Sequence, residues 1–213
     1  PKFREQLIDV AKKHHYIFGD QLAPSTEDLL FLEGYKSTFK LKDGKTAEFR
    51  PLLPSDEIAY RNFFYSLQEK TIYMRFFYRM RSFSHEVVQK QWASVDYRKN
   101  MSIIGQVQKR GHKEIIAIGT YAYDREQVAE IAFVVREDYQ SMGIASYLLA
   151  VLEQIAKENN YLRFQASVLR ENRAMIQVFK KRYPNLKLSA QSGNEVLIEM
   201  DLSDSKEVHK LNP

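Results

Sequence analysis

Cysteine is absent from the 213 residues. Disulfides, thiolate metal sites and a cysteine nucleophile are therefore excluded, and with them an acyl-cysteine intermediate. Histidine is sparse. His14, His15, His85, His112 and His209 are scattered without H-E-x-x-H or similar spacing, so no bound metal is expected. No apolar run approaches the roughly 20 residues that a bilayer span needs. The N-terminus lacks the apolar core of a signal peptide. A cytoplasmic location without membrane association is the expectation. Two nucleotide-binding signatures are also missing: the P-loop Gly-Lys-Ser/Thr and the Rossmann G-x-G-x-x-G. Position 1 is Pro, which leaves open a removed initiator Met or an excised fragment.

What is present is a folding composition, with 44% apolar residues and a net charge of +5. Such a charge attracts anions, which brings in nucleic acid and phosphorylated cofactors alike. The Lys and Arg residues are spread along the chain and not gathered in one patch, so a nucleic-acid partner ranks last.

Periodicity outlines the elements. Phe3, Leu7, Val10, Ala11 and His14 fall on one face of a helix over residues 2–14. A Gly- and Pro-containing connector follows at 19–25, then a short helix at 26–33. Residues 35–41 and 45–51 form a hairpin around Asp43-Gly44. Ser55 caps a helix containing Ile58, Phe63, Phe64 and Leu67. Residues 70–80 hold Met74, Phe76, Phe77 and Tyr78, taken as core in preference to a substrate cleft. Ser84 caps a further helix to about Ala93. Strands over 101–109, 114–123 and 128–135 make an antiparallel meander. An amphipathic helix spans 142–158, with Ile144, Leu148, Leu149, Leu152, Ile155 and Ala156 on its buried face, and Asn159-Asn160 ends it. A strand at 161–168, a helix at 171–182 closed by Pro184, and a hairpin over 186–190 and 195–202 complete the pattern. The order from Thr46 is β-α-α-α-β-β-β-α-β-α-β-β, an α+β chain. Residues 204–213 form a polar, flexible tail.

Chemistry concentrates where the strand at 128–135 enters the long helix through Gln140-Ser141-Met142-Gly143-Ile144-Ala145. Small residues at 143 and 145 let a ligand approach the backbone. The unpaired amides and partial positive charge of a first helical turn form an anion site suited to a pyrophosphate. Alone, Gly143 is equally a permissive helix-start residue.

In that context Gln140, Gly143 and Ala145 match the Q/R-x-x-G-x-G/A loop, and the sequence from Thr46 to Asp201 resembles the GNAT acetyltransferase superfamily. The resemblance implies a mixed, mostly antiparallel central sheet flanked by helices, with two strands splayed at the coenzyme A site. It implies acetyl-CoA as acyl donor. The amides of Gln140, Ser141, Met142, Gly143, Ile144, Ala145 and Ser146 would hold the pyrophosphate, and Phe133, Val134 and Val135 the pantetheine arm. Asn172-Arg173-Ala174-Met175-Ile176-Gln177-Val178-Phe179-Lys180-Lys181 is similar to the family's N-x-x-A-I-x-L-Y-x-K helix. This puts Asn172 and Phe179 beside the cofactor, although Asn172 reads equally as a first-turn polar residue. Phe179 departs from the Tyr that protonates the leaving thiolate in many relatives, so a phenolic acid at 179 is excluded.

Lys42-Asp43-Gly44-Lys45, Arg50-Pro51-Leu52, Asp56-Glu57, Tyr73 to Phe77 and Val95-Asp96-Tyr97 resemble bacterial protein-lysine acetyltransferase domains. That subgroup implies a protein-lysine acceptor, such as an acyl-CoA synthetase, with a small-amine acceptor as the main rival. Residues 1–23 resemble the C-terminal tail of acetyl-CoA hydrolase/CoA-transferase proteins, which implies fusion to such a domain. Read simply, they are an N-terminal helix. The expected organisation is a helical extension over 1–33, an acetyltransferase domain over 34–203 and the tail.

Glu130 in Val128-Ala129-Glu130-Ile131-Ala132-Phe133 matches the A-E-I-x-F strand whose Glu is the general base in histone-type relatives. A carboxylate among apolar residues is costly without a role. Otherwise strand alternation turns it to solvent or to an Arg. Asp96 is the second candidate base, although a turn or cap role suits it better. A CoA-binding regulatory module without turnover is the remaining alternative, favoured by Phe179.

Overall fold

The computed structural model describes residues 25–77, 96–109, 111–191 and 193–206. The helices expected at 2–14 and 84–93, the resemblance of residues 1–23, Arg110, Ser192 and most of the tail lie outside the described residues.

One eight-stranded sheet forms the centre, in the order β1-β2-β3-β4-β5-β6-β8-β7. Its strands are β1 (Ser37–Lys40), β2 (Thr46–Pro51), β3 (Asn100–Lys109), β4 (His112–Arg125), β5 (Val128–Val135), β6 (Arg163–Leu169), β7 (Lys187–Ala190) and β8 (Glu195–Asp201). Neighbours are antiparallel except β5 and β6, which run parallel. A parallel pair needs a crossover, and the helix between them supplies it. The helices are α1 (Thr26–Glu33), α2 (Glu57–Tyr65), α3 (Glu69–Phe76), α4 (Ile144–Glu158) and α5 (Arg173–Arg182). The fold is α+β.

Alternation along the strands gives each face of the sheet its own core. On one side Ile131, Phe133 and Val135 of β5 pack with Leu148, Leu149, Leu152 and Ile155 of α4 and with Phe179 of α5. Burying each such side chain contributes about 1.5–3 kcal/mol. On the other side Val134 and Ile118 meet Tyr60, Phe63 and Phe64 of α2 and Ile72 of α3. Leu32 of α1 is 3% exposed and belongs to the first of these cores.

Several boundaries differ from the sequence expectation. The long helix begins at Ile144 and not at 142, because Ser141 (φ 62°) and Gly143 (φ 91°) take left-handed conformations that a helix cannot contain. The strand expected from 161 begins at Arg163. Asn160 has φ 65° and the Tyr161 N–H bonds back to the Ala156 carbonyl, so both still belong to the helix end. The helix expected from 171 begins at Arg173, with Asn172 as its cap accepting from the Met175 N–H at 3.2 Å.

The buried charge lies on the far half of α4. Glu153, 3% exposed, accepts from Arg182 Nε, the Tyr183 hydroxyl and Lys157 Nζ, the last at 2.6 Å. This network ties α4 to the end of α5. Burial acts to raise the Glu153 carboxyl, but bonds from Arg182, Lys157, Ser205 and Tyr183 outweigh it and hold the group below its ordinary range.

Candidate active site

β5 and β6 stay paired through Val128–Arg163, Ala129–Phe164 and Glu130–Gln165. Beyond that row β5 follows β4 as far as Val135, while β6 follows β8 as far as Leu169. The two strands separate, and among the described residues the edge of β5 that faces β6 has no strand partner from Ile131 onward. A cleft with a cavity volume of about 60 Å³ opens in the gap.

Four elements line it. β5 supplies Glu130, Ile131, Ala132 and Phe133, and β6 supplies Ala166, Ser167 and Val168. α3 supplies Met74, Arg75 and Phe77, and α5 supplies Asn172, Met175 and Phe179. The aromatic segment taken as core is therefore divided. Ile72 and Phe76 pack inward, whereas Met74 and Phe77 face the cleft. Phe77 ends α3 in the left-handed region at φ 64°, which is costly for a bulky side chain and turns the chain at the cleft wall. Nothing in the sequence signals that conformation.

Glu130 is exposed and, among the described residues, has no hydrogen-bond or ion-pair partner. The burial argument made for it from sequence does not hold in this structure. Its apolar neighbours Ala129 and Ile131 point to the opposite face of the sheet, as strand alternation requires. Glu130 itself points to the α3 side and into the cleft. Asp96 is not among the lining residues. Its carboxylate caps a turn, accepting from the Arg98 and Lys99 amides at 3.1 and 3.2 Å. Among the described residues it is a turn residue, because the chain reverses into β3 immediately after it.

The Gln140 N–H donates to the Glu137 carbonyl at 3.2 Å, but the loop between β5 and α4 leaves the amides at the start of α4 open. The first helical bond runs from the Tyr147 N–H to the Gly143 carbonyl at 3.0 Å. The amides of Ile144, Ala145 and Ser146 find no acceptor among the described residues, and no side chain caps the helix. The Gln140 side chain donates to the Val135 carbonyl at 2.9 Å and so braces the loop from within. Outside the loop, sequence analysis missed Lys42, whose Nζ donates to the Ser141 carbonyl at 2.7 Å. Phe39 lies beside Gly143 and stacks on Tyr147 with ring centroids 4.5 Å apart. The β1–β2 hairpin thus supports the loop, a contact no local pattern announces. Arg136 fixes the approach through Glu114 and Asp138, at 3.1 and 2.7 Å. Glu137 accepts from the Gln68 amide at 2.8 Å and ties the start of α3 to the same loop.

Phe133 owes its position to Gly119 on β4. A Cβ there would come within 3.0 Å of both the Phe133 ring and Leu152. The Phe133 ring leans toward Phe179 at 6.0 Å, and Phe179 is 1% exposed.

A parallel strand pair that parts beside open helix-start amides can seat a long ligand with a phosphate at one end and amide groups along its length. That arrangement fits a coenzyme A-dependent acyltransferase. The chain belongs to the acetyltransferase (GNAT) family, whose model matches residues 67–183. It is 28% identical to an acetyltransferase of Pseudomonas aeruginosa over 145 residues, 68% of this chain and 77% of that one. It is also 28% identical to the acetyltransferase Pat of Mycolicibacterium smegmatis over 144 residues. That match covers 67% of this chain and 42% of Pat, so the chain spans less than half of that relative. The crystal structure of the GNAT domain of S. lividans PAT superposes with a TM-score of 0.69 at 26% identity, covering 79% of this chain and 97% of that domain. The protein is an acyltransferase with the GNAT fold, and acetyl-CoA is its acyl donor.

Proposed function

We propose that the enzyme transfers the acetyl group of acetyl-CoA to a lysine side chain of a protein, with Glu130 as general base. The observation that carries this reading is the position of Glu130 at the last paired row of β5 and β6, where the cleft begins. In this reading the amides from Ser141 to Ser146 hold the pyrophosphate, Gln140 braces the loop, and the unpaired edge at Phe133–Val135 bonds the pantetheine. Asn172 and Phe179 flank the thiol end. An amide near Phe133 polarises the thioester carbonyl.

A free lysine has a pKa of about 10.4, so near pH 7.4 only roughly one in a thousand is deprotonated. A carboxylate on the acceptor side removes that proton directly or through water. Met74 and Phe77 offer apolar surface to the lysine stem. Arg75, on the same wall, opposes a second positive charge and so favours the neutral amine. The likeness to Pat and PAT supports a protein acceptor, an acyl-CoA synthetase being the class to try first. We take 34–203 as the catalytic unit, with α1 docked on its core. The enzyme then works where acetyl-CoA and folded acceptors meet, in the cytoplasm.

The test is Glu130→Gln, assayed with a lysine substrate and by calorimetry. Turnover is expected to fall by about 100-fold or more while acetyl-CoA affinity stays nearly constant. Unchanged turnover removes Glu130 from the role.

A further inference from the structure

Phe179 leaves the departing thiolate without a phenolic proton donor at that position. The cleft itself narrows the choice of another. Besides Glu130, the lining side chains among the described residues with a hydrogen on nitrogen or oxygen are Arg75, Ser167 and Asn172. Arginine stays protonated in proteins and gives up nothing. Asn172 uses its oxygen on the Met175 N–H at 3.2 Å, and a carboxamide is too weak an acid to relay a proton. Ser167 remains. It lies two residues beyond Gln165, the partner of Glu130, so its side chain shares a face with Glu130. Its neighbours Ala166 and Val168 point to the opposite core. Its hydroxyl is half-buried and makes no hydrogen bond to another described residue.

We infer that Ser167 is a catalytic residue whose hydroxyl bonds the thioester sulfur and passes a proton to it as the carbon–sulfur bond breaks. This rests on the acetyl-transfer reading. Ser167 stands on β6, across the cleft from the β5 edge that meets the thioester carbonyl in that reading. The steps balance. The acceptor ammonium gives one proton to Glu130, and the neutral amine attacks the carbonyl carbon to form the carbon–nitrogen bond. The adduct nitrogen still carries a proton to be lost. Ser167 takes that proton on oxygen as it gives its own to sulfur, so no alkoxide forms. The products are the amide and the free CoA thiol, and Glu130 returns its proton to solvent. A relay is needed because serine is a weaker acid than a thiol.

The experiment compares wild type, Ser167→Ala and Ser167→Thr for kcat, for KM toward acetyl-CoA, for acetyl-CoA binding by calorimetry and for melting temperature. Ser167→Ala is expected to lower kcat about 100-fold, the low end for general acid catalysis because water can replace the hydroxyl. Acetyl-CoA binding and melting temperature should hold, and Ser167→Thr should recover most of the rate. Wild-type kcat in Ser167→Ala overturns the inference. Equal losses in the Ala and Thr variants also overturn it, since they mark a packing role. A wild type that acetylates neither lysine peptides nor small amines overturns the acetyl-transfer reading itself, and the inference with it.

Discussion

Lys42 Nζ bonds the backbone carbonyl of Ser141 at 2.7 Å, linking the β1–β2 turn to the loop that opens α4 across 99 positions of sequence. Ser141 sits at φ 62°, a conformation that needs outside support in a residue with a Cβ. Lys42→Met removes that support and a cation near the proposed phosphate site. Acetyl-CoA affinity should weaken by about 3- to 10-fold, as expected for losing one hydrogen bond of about 0.5–1.5 kcal/mol. Calorimetric titration checks this. The weakening should vanish for S-acetylpantetheine, which has no pyrophosphate.

Gly143 has φ 91°, and a Cβ there would meet Phe39 Cζ at 3.3 Å. Gly143→Ala should destabilise the fold by about 1–2 kcal/mol through left-handed strain, visible in a thermal melt. Gly143→Glu adds bulk and negative charge beside the open amides and should abolish acetyl-CoA binding. Normal binding in that variant would displace the cofactor from this loop.

Glu153 predicts a pH dependence of stability. Its folded pKa is depressed, so its contribution is full above the unfolded value of about 4.3 and is lost as pH falls through the lower folded value. Glu153→Gln leaves Arg182 buried without its counter-charge and should cost about 3–5 kcal/mol at pH 7. Urea titrations at pH 7 and in acid should therefore converge, with wild type losing stability faster than the variant on acidification.

Phe179→Tyr, built in the Ser167→Ala background, restores a hydroxyl at the cleft wall. Steady-state turnover should rise well above that of Ser167→Ala alone. No gain would mean that the ring at 179, packed against Phe133, cannot turn its edge toward the sulfur.

Much of the fold was legible before any coordinates. Ile144, Leu148, Leu149, Leu152 and Ile155 mark the buried face of α4 because a helix repeats every 3.6 residues. The β3–β4–β5 meander follows from short turns between β-branched runs. The Q-x-x-G-x-A loop is a contiguous string, and its place between strand and helix lies in the same stretch of chain. Less was legible of the cleft. Asp96 stood beside Glu130 as a candidate because sequence does not say which residues a turn brings to the sheet. Met74 and Phe77 looked like core because apolar residues line pockets and interiors alike.

The amino-acid sequence by itself determined the elements, their amphipathic faces and the loop whose amides stand open, because these depend on neighbours within a few positions. Tertiary structure alone decided that β5 and β6 part after Glu130, that Lys42 and Phe39 support the loop, and that Ser167 faces the same cleft as Glu130. Those relations join residues tens of positions apart. They are set by strand order and register, and a local pattern carries no information about either.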